Sequence, residues 1–134
     1  MRLDPARLMR RVEQGMSRVL EGGKQDMRAY IEARGTGRTW QHPWGGRTGS
    51  YPGRVDSGDM LNDVEGRVVA SDANGVTGVL GWAEGSPSYY RHQEHGFHNT
   101  LTDTDVEGMR AFADAEADTT EALLDELLDI AKEL

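Results

Sequence analysis

The sequence predicts an α+β fold: a small antiparallel sheet packed by an N-terminal and a C-terminal helix, with a long Gly-rich loop. Three observations carry this prediction. Apolar residues recur at helical spacing near both ends of the chain, two β-prone runs in the middle are joined by Asn74-Gly75, and glycines crowd residues 34–56. Because 134 residues is the usual size of one domain, we assign residues 1–134 to a single unit.

The first element is a helix over residues 3–33. Asp4 is placed to cap it, and Pro5 is tolerated in its first turn. Gly22-Gly23 interrupts the pattern, which leaves either a kinked helix or two helices. A basic amphipathic helix can also lie on a membrane, but acidic residues dilute its charge, so packing against a core is favoured. The apolar stripe consists of Leu8, Val12, Met16, Val19, Met27, Tyr30 and Ile31.

Residues 34–56 are predicted to form an extended loop or arm. They contain six Gly and two Pro, together with Trp40 and Trp44. Long loops in compact domains are usually functional or disordered. A lone domain gains little from tryptophans on a mobile loop, so we expect this arm to become ordered against a neighbouring subunit.

The central part of the chain is predicted to form a β-hairpin. Ser57 is a plausible cap for a short helical turn through Met60. Strands are then expected over Val64–Ser71 and Val76–Ala83, joined by the Asn-Gly turn. The apolar residues of these strands cannot all face one side under strict alternation, which indicates a bulge near Gly78.

The C-terminal helix is predicted over residues 105–134. Its apolar residues lie along one stripe and acidic residues crowd the other face. The repeat is too short for a coiled coil, so we expect a helix docked on the sheet. The stripe consists of Met109, Phe112, Leu123, Leu127, Ile130 and Leu134, and Glu116 and Thr120 interrupt it.

Charge is divided unevenly along a chain whose net charge is −8. Residues 1–54 carry 11 Lys/Arg against 5 Asp/Glu, whereas residues 103–134 carry 2 against 11. Two interpretations stay open: solvated helices of opposite charge, or head-to-tail contact between subunits, positive end to negative end. Tight binding of nucleic acid to the acidic part is not expected.

The composition also excludes several classes. Without cysteine the chain has neither disulfides nor cysteine-ligated metals. The N-terminus lacks the apolar region of a signal peptide, and no run of about 18 apolar residues is present. We therefore expect no membrane association, and we expect the protein to be made and kept in the cytosol.

No catalytic, cofactor or metal site is predicted. His92, His95 and His98, with Glu94, are spaced like helix-borne metal ligands, but Gly96 among them argues against a regular helix. The Gly-rich stretches lack the GxxxxGK[ST] pattern of a phosphate loop, and Ser57 lies in DSGDM rather than GxSxG. We therefore expect that the protein is not an enzyme.

Six short pieces of sequence stand in a defined order between residues 54 and 115. They are Arg54–Met60, Gly81-Trp82, Tyr89-Tyr90, Gln93-Glu94, Gly96-Phe97 and Gly108–Phe112. Together they resemble the minor structural proteins at the head–tail joint of long-tailed bacteriophages, the neck, tail-completion or tail terminator-like family. One linker departs from that family: the residues after Phe97 (HNTLTDTDVEG) are acidic and polar, where a more apolar approach containing proline is expected.

The resemblance implies a structural virion protein of the neck or tail. It implies a homo-oligomeric ring, six-fold in the particle, that joins the connector and neck proteins to the tail tube. DNA would pass through the ring without specific binding, and assembly would take place in the cytoplasm of the host bacterium. The resemblance leaves open whether the role is that of a tail terminator, a tail-completion protein or a connector-proximal protein.

An interface is predicted around the aromatic residues, because Tyr89, Tyr90 and Phe97 would be costly to expose on a monomer. Glu94 among them is expected to meet a basic partner, such as an arginine of a neighbour. Two alternative functions are a small metal-dependent hydrolase that uses His92, His95 and His98, and a prophage binding module. The expected interface residues are Trp40, Trp44, Arg54, Tyr89, Tyr90, Glu94 and Phe97.

Overall fold

A computed structural model describes residues 4–34, 38–41, 48–51, 59–87, 89–99 and 103–134. Two long helices, Pro5–Arg34 and Ala111–Lys132, pack together, and the first of them packs on an antiparallel pair of strands, which confirms the predicted α+β class. The elements, in chain order, are α1 (Pro5–Arg34), β1 (Arg38–Gln41), β2 (Thr48–Tyr51), α2 (Asp59–Asn62), β3 (Val64–Asp72), β4 (Gly75–Trp82), α3 (Tyr89–His95), β5 (Gly96–Asn99), β6 (Thr104–Glu107) and α4 (Ala111–Lys132).

Helix α1 is uninterrupted, although Gly22 and Gly23 lie in its middle. The side chain of Asp4 caps its start as predicted, since Oδ1 accepts hydrogen bonds from the backbone amides of Ala6 at 3.1 Å and Arg7 at 3.4 Å. Of the two alternatives for this segment, the structure therefore shows a single helix.

The predicted hairpin is formed by β3 and β4. Its turn is closed by Asp72, whose Oδ1 accepts hydrogen bonds from the backbone amides of Asn74 at 2.7 Å and Gly75 at 3.2 Å. The pairing register shifts between Val68 and Ala70. This bulge lies across from Gly78–Thr77, where the alternation of apolar residues indicated one.

Glycines allow α1 to lie directly on the hairpin. A Cβ at Gly66 would approach within 2.4 Å of the carbonyl oxygen of Leu20, and one at Gly78 within 2.2 Å of Leu20 Cδ1. A side chain at position 66 would therefore push the helix backbone away from the sheet, and one at position 78 would displace the side chain of Leu20. The glycines of β3 and β4 thus place the hairpin across the middle of α1.

The core lies where α1, the hairpin, α3 and the start of α4 meet. Its buried members come from five elements and the short segments that join them, so no single element could form it alone. They are Met27, Ile31, Met60, Val64, Tyr90, Met109, Ala111 and Ala115, with Tyr30, Leu61, Leu80, Trp82 and Phe112 packed around them.

Residues 34–56 were expected to form an extended loop or arm, and β1 and β2 pair within them, from Arg38 with Tyr51 to Gln41 with Thr48. The ordering of this arm against a neighbour stays a prediction. One predicted boundary is wrong: the C-terminal helix was expected from residue 105, but it begins at Ala111 because residues 104–107 form β6 and pair with β5. Backbone pairing has overridden local sequence preference there. Ser57, the expected cap of α2, lies outside the described residues.

The buried face of α4 differs from the predicted stripe. Ile130 is buried as expected, but Leu127 and Leu134 are 40% and 57% exposed. The positions that face the interior near α1 instead hold small residues, Ala115 and Thr119. Leucine is too large for this contact, because α1 and α4 approach each other closely.

Glycine on α1 makes that close approach possible. Gly23 is buried, and a Cβ on it would lie 2.3 Å from Thr119 Oγ1. A Cβ on Gly15 would lie 2.7 Å from Glu126 Oε1. Gly22, in contrast, has nothing within 4 Å of its would-be Cβ. Packing therefore requires glycine at position 23 but not at position 22.

Opposite charges line the α1–α4 contact. Arg11 contacts Glu126 at 2.8 Å and Glu133 at 3.1 Å, and Arg18 contacts Glu126 at 2.6 Å. The uneven charge of the sequence is thus partly neutralised within one subunit, which neither of the two earlier interpretations anticipated. Each partly exposed pair adds little stability alone, but a network of pairs fixes the register of the two helices.

The close contact predicts opposite effects of alanine at the two neighbouring glycines. Gly23→Ala should overpack the contact at a cost of about 1–3 kcal/mol, partly offset by better helix propensity. Gly22→Ala should stabilise the protein by up to about 1 kcal/mol. Adding Thr119→Ala should rescue Gly23→Ala, because Thr119 Oγ1 has no hydrogen-bond partner to lose. Urea unfolding measures the stability of all three variants. Equal changes in stability for Gly22→Ala and Gly23→Ala would contradict the packing described for Gly23.

The ion pairs predict that part of the stability is lost in acid. The hydrogen bond from Arg11 lowers the pKa of Glu126 from its ordinary value of 4.5; the nearby charge of Arg18 adds to the shift, and desolvation opposes it. A carboxyl whose pKa is lower in the folded state stabilises above its unfolded pKa, and this stabilisation is lost as pH falls through the folded pKa.

Glu126→Gln should therefore lower the melting temperature at neutral pH, and its difference from the wild type should shrink below pH 4.5. Glu116→Gln is the control, because Glu116 is exposed and makes no ion pair in the described part of the chain. Thermal melts across the acid range measure both variants. A difference in melting temperature between Glu126→Gln and the wild type that stays constant with pH would refute the stabilising role assigned to the Glu126 ion pairs.

Candidate functional site

Five of the six pieces that carry the resemblance meet at one buried junction between α2, β4, α3 and the start of α4. The Trp82 indole Nε1 donates a hydrogen bond to the carbonyl oxygen of Met60 at 2.9 Å, and its ring lies 5.5 Å from that of Tyr90. The Tyr90 hydroxyl donates to Asp63 Oδ2 at 2.7 Å. These bonds tie the end of β4 and the start of α3 to the segment around α2.

Glu94 completes the junction by capping α4 from a different element. Its two carboxylate oxygens accept hydrogen bonds from the backbone amides of Phe112 and Ala113, each at 3.0 Å. The residue at the cap position itself, Arg110, makes no side-chain cap bond and has a left-handed backbone with φ 54°. A carboxylate at a helix N-terminus is also favoured by the helix dipole.

Backbone contacts hold the same two segments together. The amide of Met109 donates to the carbonyl of Gln93 at 2.8 Å, and that of Arg110 donates to the carbonyl of Glu94 at 3.1 Å. A Cβ at Gly108 would lie 2.3 Å from the carbonyl oxygen of Glu94. Glycine at position 108 thus lets the chain pass over the end of α3 on its way into α4.

Two of the predicted interface residues belong to the interior. Tyr90 is 2% exposed and Glu94 is 3% exposed, so neither can face a neighbour as predicted. The physical reason is that Tyr90 fills the core beside Trp82, while the carboxylate of Glu94 finds its partners in backbone amides rather than in an arginine. Both assignments are corrected from interface to fold.

Phe97 is half-buried at the start of β5, with its ring 6.5 Å from that of His92. Gly96 before it has φ 91°, a left-handed conformation that favours glycine, at the point where α3 turns into β5. An interface role for Phe97 stays a prediction. Trp44, Arg54 and the side chains of Trp40 and Tyr89 lie outside the described residues, so their interface roles stay predictions as well.

The histidines are divided between two elements. His92 and His95 are exposed on α3, whereas His98 lies in β5 with its Nε2 3.2 Å from Asp103 Oδ1. Within the described segments, no group of three His, Asp or Glu residues is placed to hold a metal ion.

A cleft of about 640 Å³ opens beside the junction. Leu80, Trp82 and Phe112 supply its apolar lining, and the exposed Arg91 and His95 supply polar groups. An apolar cleft with a few polar groups suits the side chain of a binding partner. Sequence reasoning missed this cleft because it forms between β4 and the starts of α3 and α4, which lie apart in the chain.

Comparisons with protein-family models, with curated proteins and with solved structures found no match to this chain. No helix in the described residues is long and apolar enough to cross a membrane.

The cap made by Glu94 predicts a stability defect at that position. Glu94→Ala should destabilise the fold by about 2 kcal/mol, because it leaves two helix amides without a charged acceptor. Glu94→Gln, which keeps one acceptor oxygen, should cost less, and Glu84→Ala at an exposed position should cost no more than about 0.5 kcal/mol. Urea unfolding is the measurement. An unchanged stability for Glu94→Ala, with impaired assembly, would return Glu94 to the interface.

Proposed function

We propose that this chain is a structural protein of a long-tailed phage particle that joins the connector to the tail tube. It acts as a ring of identical subunits around the DNA channel, and the resemblance predicts six copies. The residues of the subunit bind neighbouring proteins and not a substrate, and DNA passes through the ring without specific contacts.

The observation that carries the proposal is the junction. Five of the pieces that carry the resemblance meet there: Met60 bonds Trp82, the ring of Trp82 packs on that of Tyr90, and Glu94, on the same helix as Tyr90, bonds Phe112. Contacts of this kind, between residues far apart in the sequence, are expected if the resemblance to the family reflects a shared fold. The architecture, a small hairpin held by a first and a last helix, is also the one that the resemblance implies.

Exposed apolar surface adds support. Leu124 and Leu128 are each more than half exposed on α4, Leu134 is 57% exposed just beyond its end, and Val69 is 45% exposed at the bulge of β3. Large apolar side chains that cluster on a surface mark protein contacts. A subunit that functions inside an assembly covers such residues with its neighbours.

A binding module of a prophage is the second candidate, and the cleft beside Trp82 and Phe112 favours it. Such a module would act on a single partner in the bacterial cell and would not be part of a particle. The two candidates therefore differ in where the protein is found.

The test is made in the phage or prophage genome that encodes the chain. Mass spectrometry of purified particles should detect the protein as a stoichiometric component. Deletion of its coding sequence should give filled heads and separate tails by electron microscopy, and supply of the wild-type chain should restore joined particles. Particles that lack the protein, or that join normally without it, would refute the proposal and favour the binding module.

A further inference from the structure

Helix α4 carries a second apolar face that points away from α1. Leu124, Leu127 and Leu128 are 58%, 40% and 60% exposed. We call these three residues the leucine face. Spacings of three and four residues from Leu124 place them on one side of the helix, away from the buried Ala115 and Thr119. Nothing in the described chain covers this side.

Acidic residues border the leucine face and limit what can cover it. Glu121 precedes Leu124 by three residues, and Asp125 precedes Leu128 by three, so each carboxylate neighbours a leucine on the helix surface. Both are exposed and neither makes an ion pair within the described residues. Two such faces packed on each other would oppose like charges, which disfavours a symmetric pairing of α4 with α4. A surface that covers the leucine face should therefore be positively charged.

The same chain carries such a surface on α1. An open groove of about 830 Å³ is lined by Arg10, Arg11, Glu13, Gln14, Ser17 and Arg18, and we call it the arginine groove. Arg11 and Arg18 are already paired with carboxylates of α4. Arg10, together with Arg7 one turn before the groove, is exposed and makes no ion pair in the part of the chain that the structure describes, so these two supply the free positive charge. The long aliphatic stems of arginine can cover leucine side chains while the guanidinium groups reach carboxylates.

We propose that the leucine face of one copy docks on the arginine groove of the next copy. Each subunit then offers one surface of each kind. Such a contact is heterologous, and heterologous contacts build closed rings when the rotation between copies allows it. This inference rests on the proposed function and specifies which surfaces would form its ring.

Cross-linking tests the geometry directly, because the chain has no cysteine of its own. Leu128→Cys and Gln14→Cys variants, carrying tags of different mass, are mixed and oxidised. The expected product is the mixed disulfide dimer. Val69→Cys replaces Leu128→Cys in the matched control, since Val69 is also exposed but lies on the sheet, and it should give no product with Gln14→Cys. A Leu128→Cys homodimer without the mixed product, or no cross-link at all, would overturn the proposal.

Charge reversal tests the recognition. Arg7→Glu with Arg10→Glu in one variant, and Glu121→Lys with Asp125→Lys in another, should each weaken self-association about tenfold or more in sedimentation velocity. Mixing the two variants should restore association, because each then meets a surface of opposite charge. A control with Arg67→Glu, at an exposed position on the sheet, should associate like the wild type. Wild-type association should also weaken between about 0.1 M and about 1 M salt.

The outcomes separate this inference from the proposed function. Association that survives reversal of Arg7 and Arg10, or a wild type that stays monomeric and gives no cross-link, would overturn the docking of α4 on α1. The particle analysis is independent of both results. A protein found in particles without these effects would keep the proposed function and lose the inference, whereas a protein absent from particles would lose the function itself.

Discussion

The close approach of α1 and α4 determines most of what the subunit looks like. It is possible because Gly15 and Gly23 leave room for the side chains of Glu126 and Thr119. Small residues, Ala115 and Thr119, occupy the part of α4 nearest Gly23, whereas Leu124, Leu127 and Leu128 lie exposed on another side of the helix. The same geometry brings the arginines of α1 to the carboxylates of α4, so a chain with an uneven charge distribution neutralises part of it internally.

A second constraint acts where α4 begins. The chain enters α4 through Arg110, whose backbone is left-handed. The first amides of the helix donate hydrogen bonds to the carboxylate of Glu94 on α3. Here the fold uses long-range hydrogen bonds in place of a local cap. The polar linker after Phe97 belongs to this region: its described part contains β6, which pairs with β5 and leads into the same turn.

The sequence predicted those parts of the fold that depend on local chemistry. The cap at Asp4, the Asn-Gly turn and the bulge opposite Gly78 follow from neighbouring residues and were found as expected. It misassigned Tyr90 and Glu94, because the partners of both lie far along the chain. In the sequence, Glu94 is an acidic residue within an aromatic stretch. This pattern does not show whether its partner is an arginine of a neighbour or two amides of a later helix, and only the three-dimensional structure distinguishes the two cases.

The carboxylate of Glu94 also has a mechanical consequence. It bonds α3 to the first turn of α4, while Gln93 beside it is bonded to the segment that leads into that helix. Tension applied to α3 is therefore transmitted into the axis of α4 through several parallel hydrogen bonds, without a flexible joint between them. A displacement of α3 would therefore have to move the start of α4 with it or break these bonds.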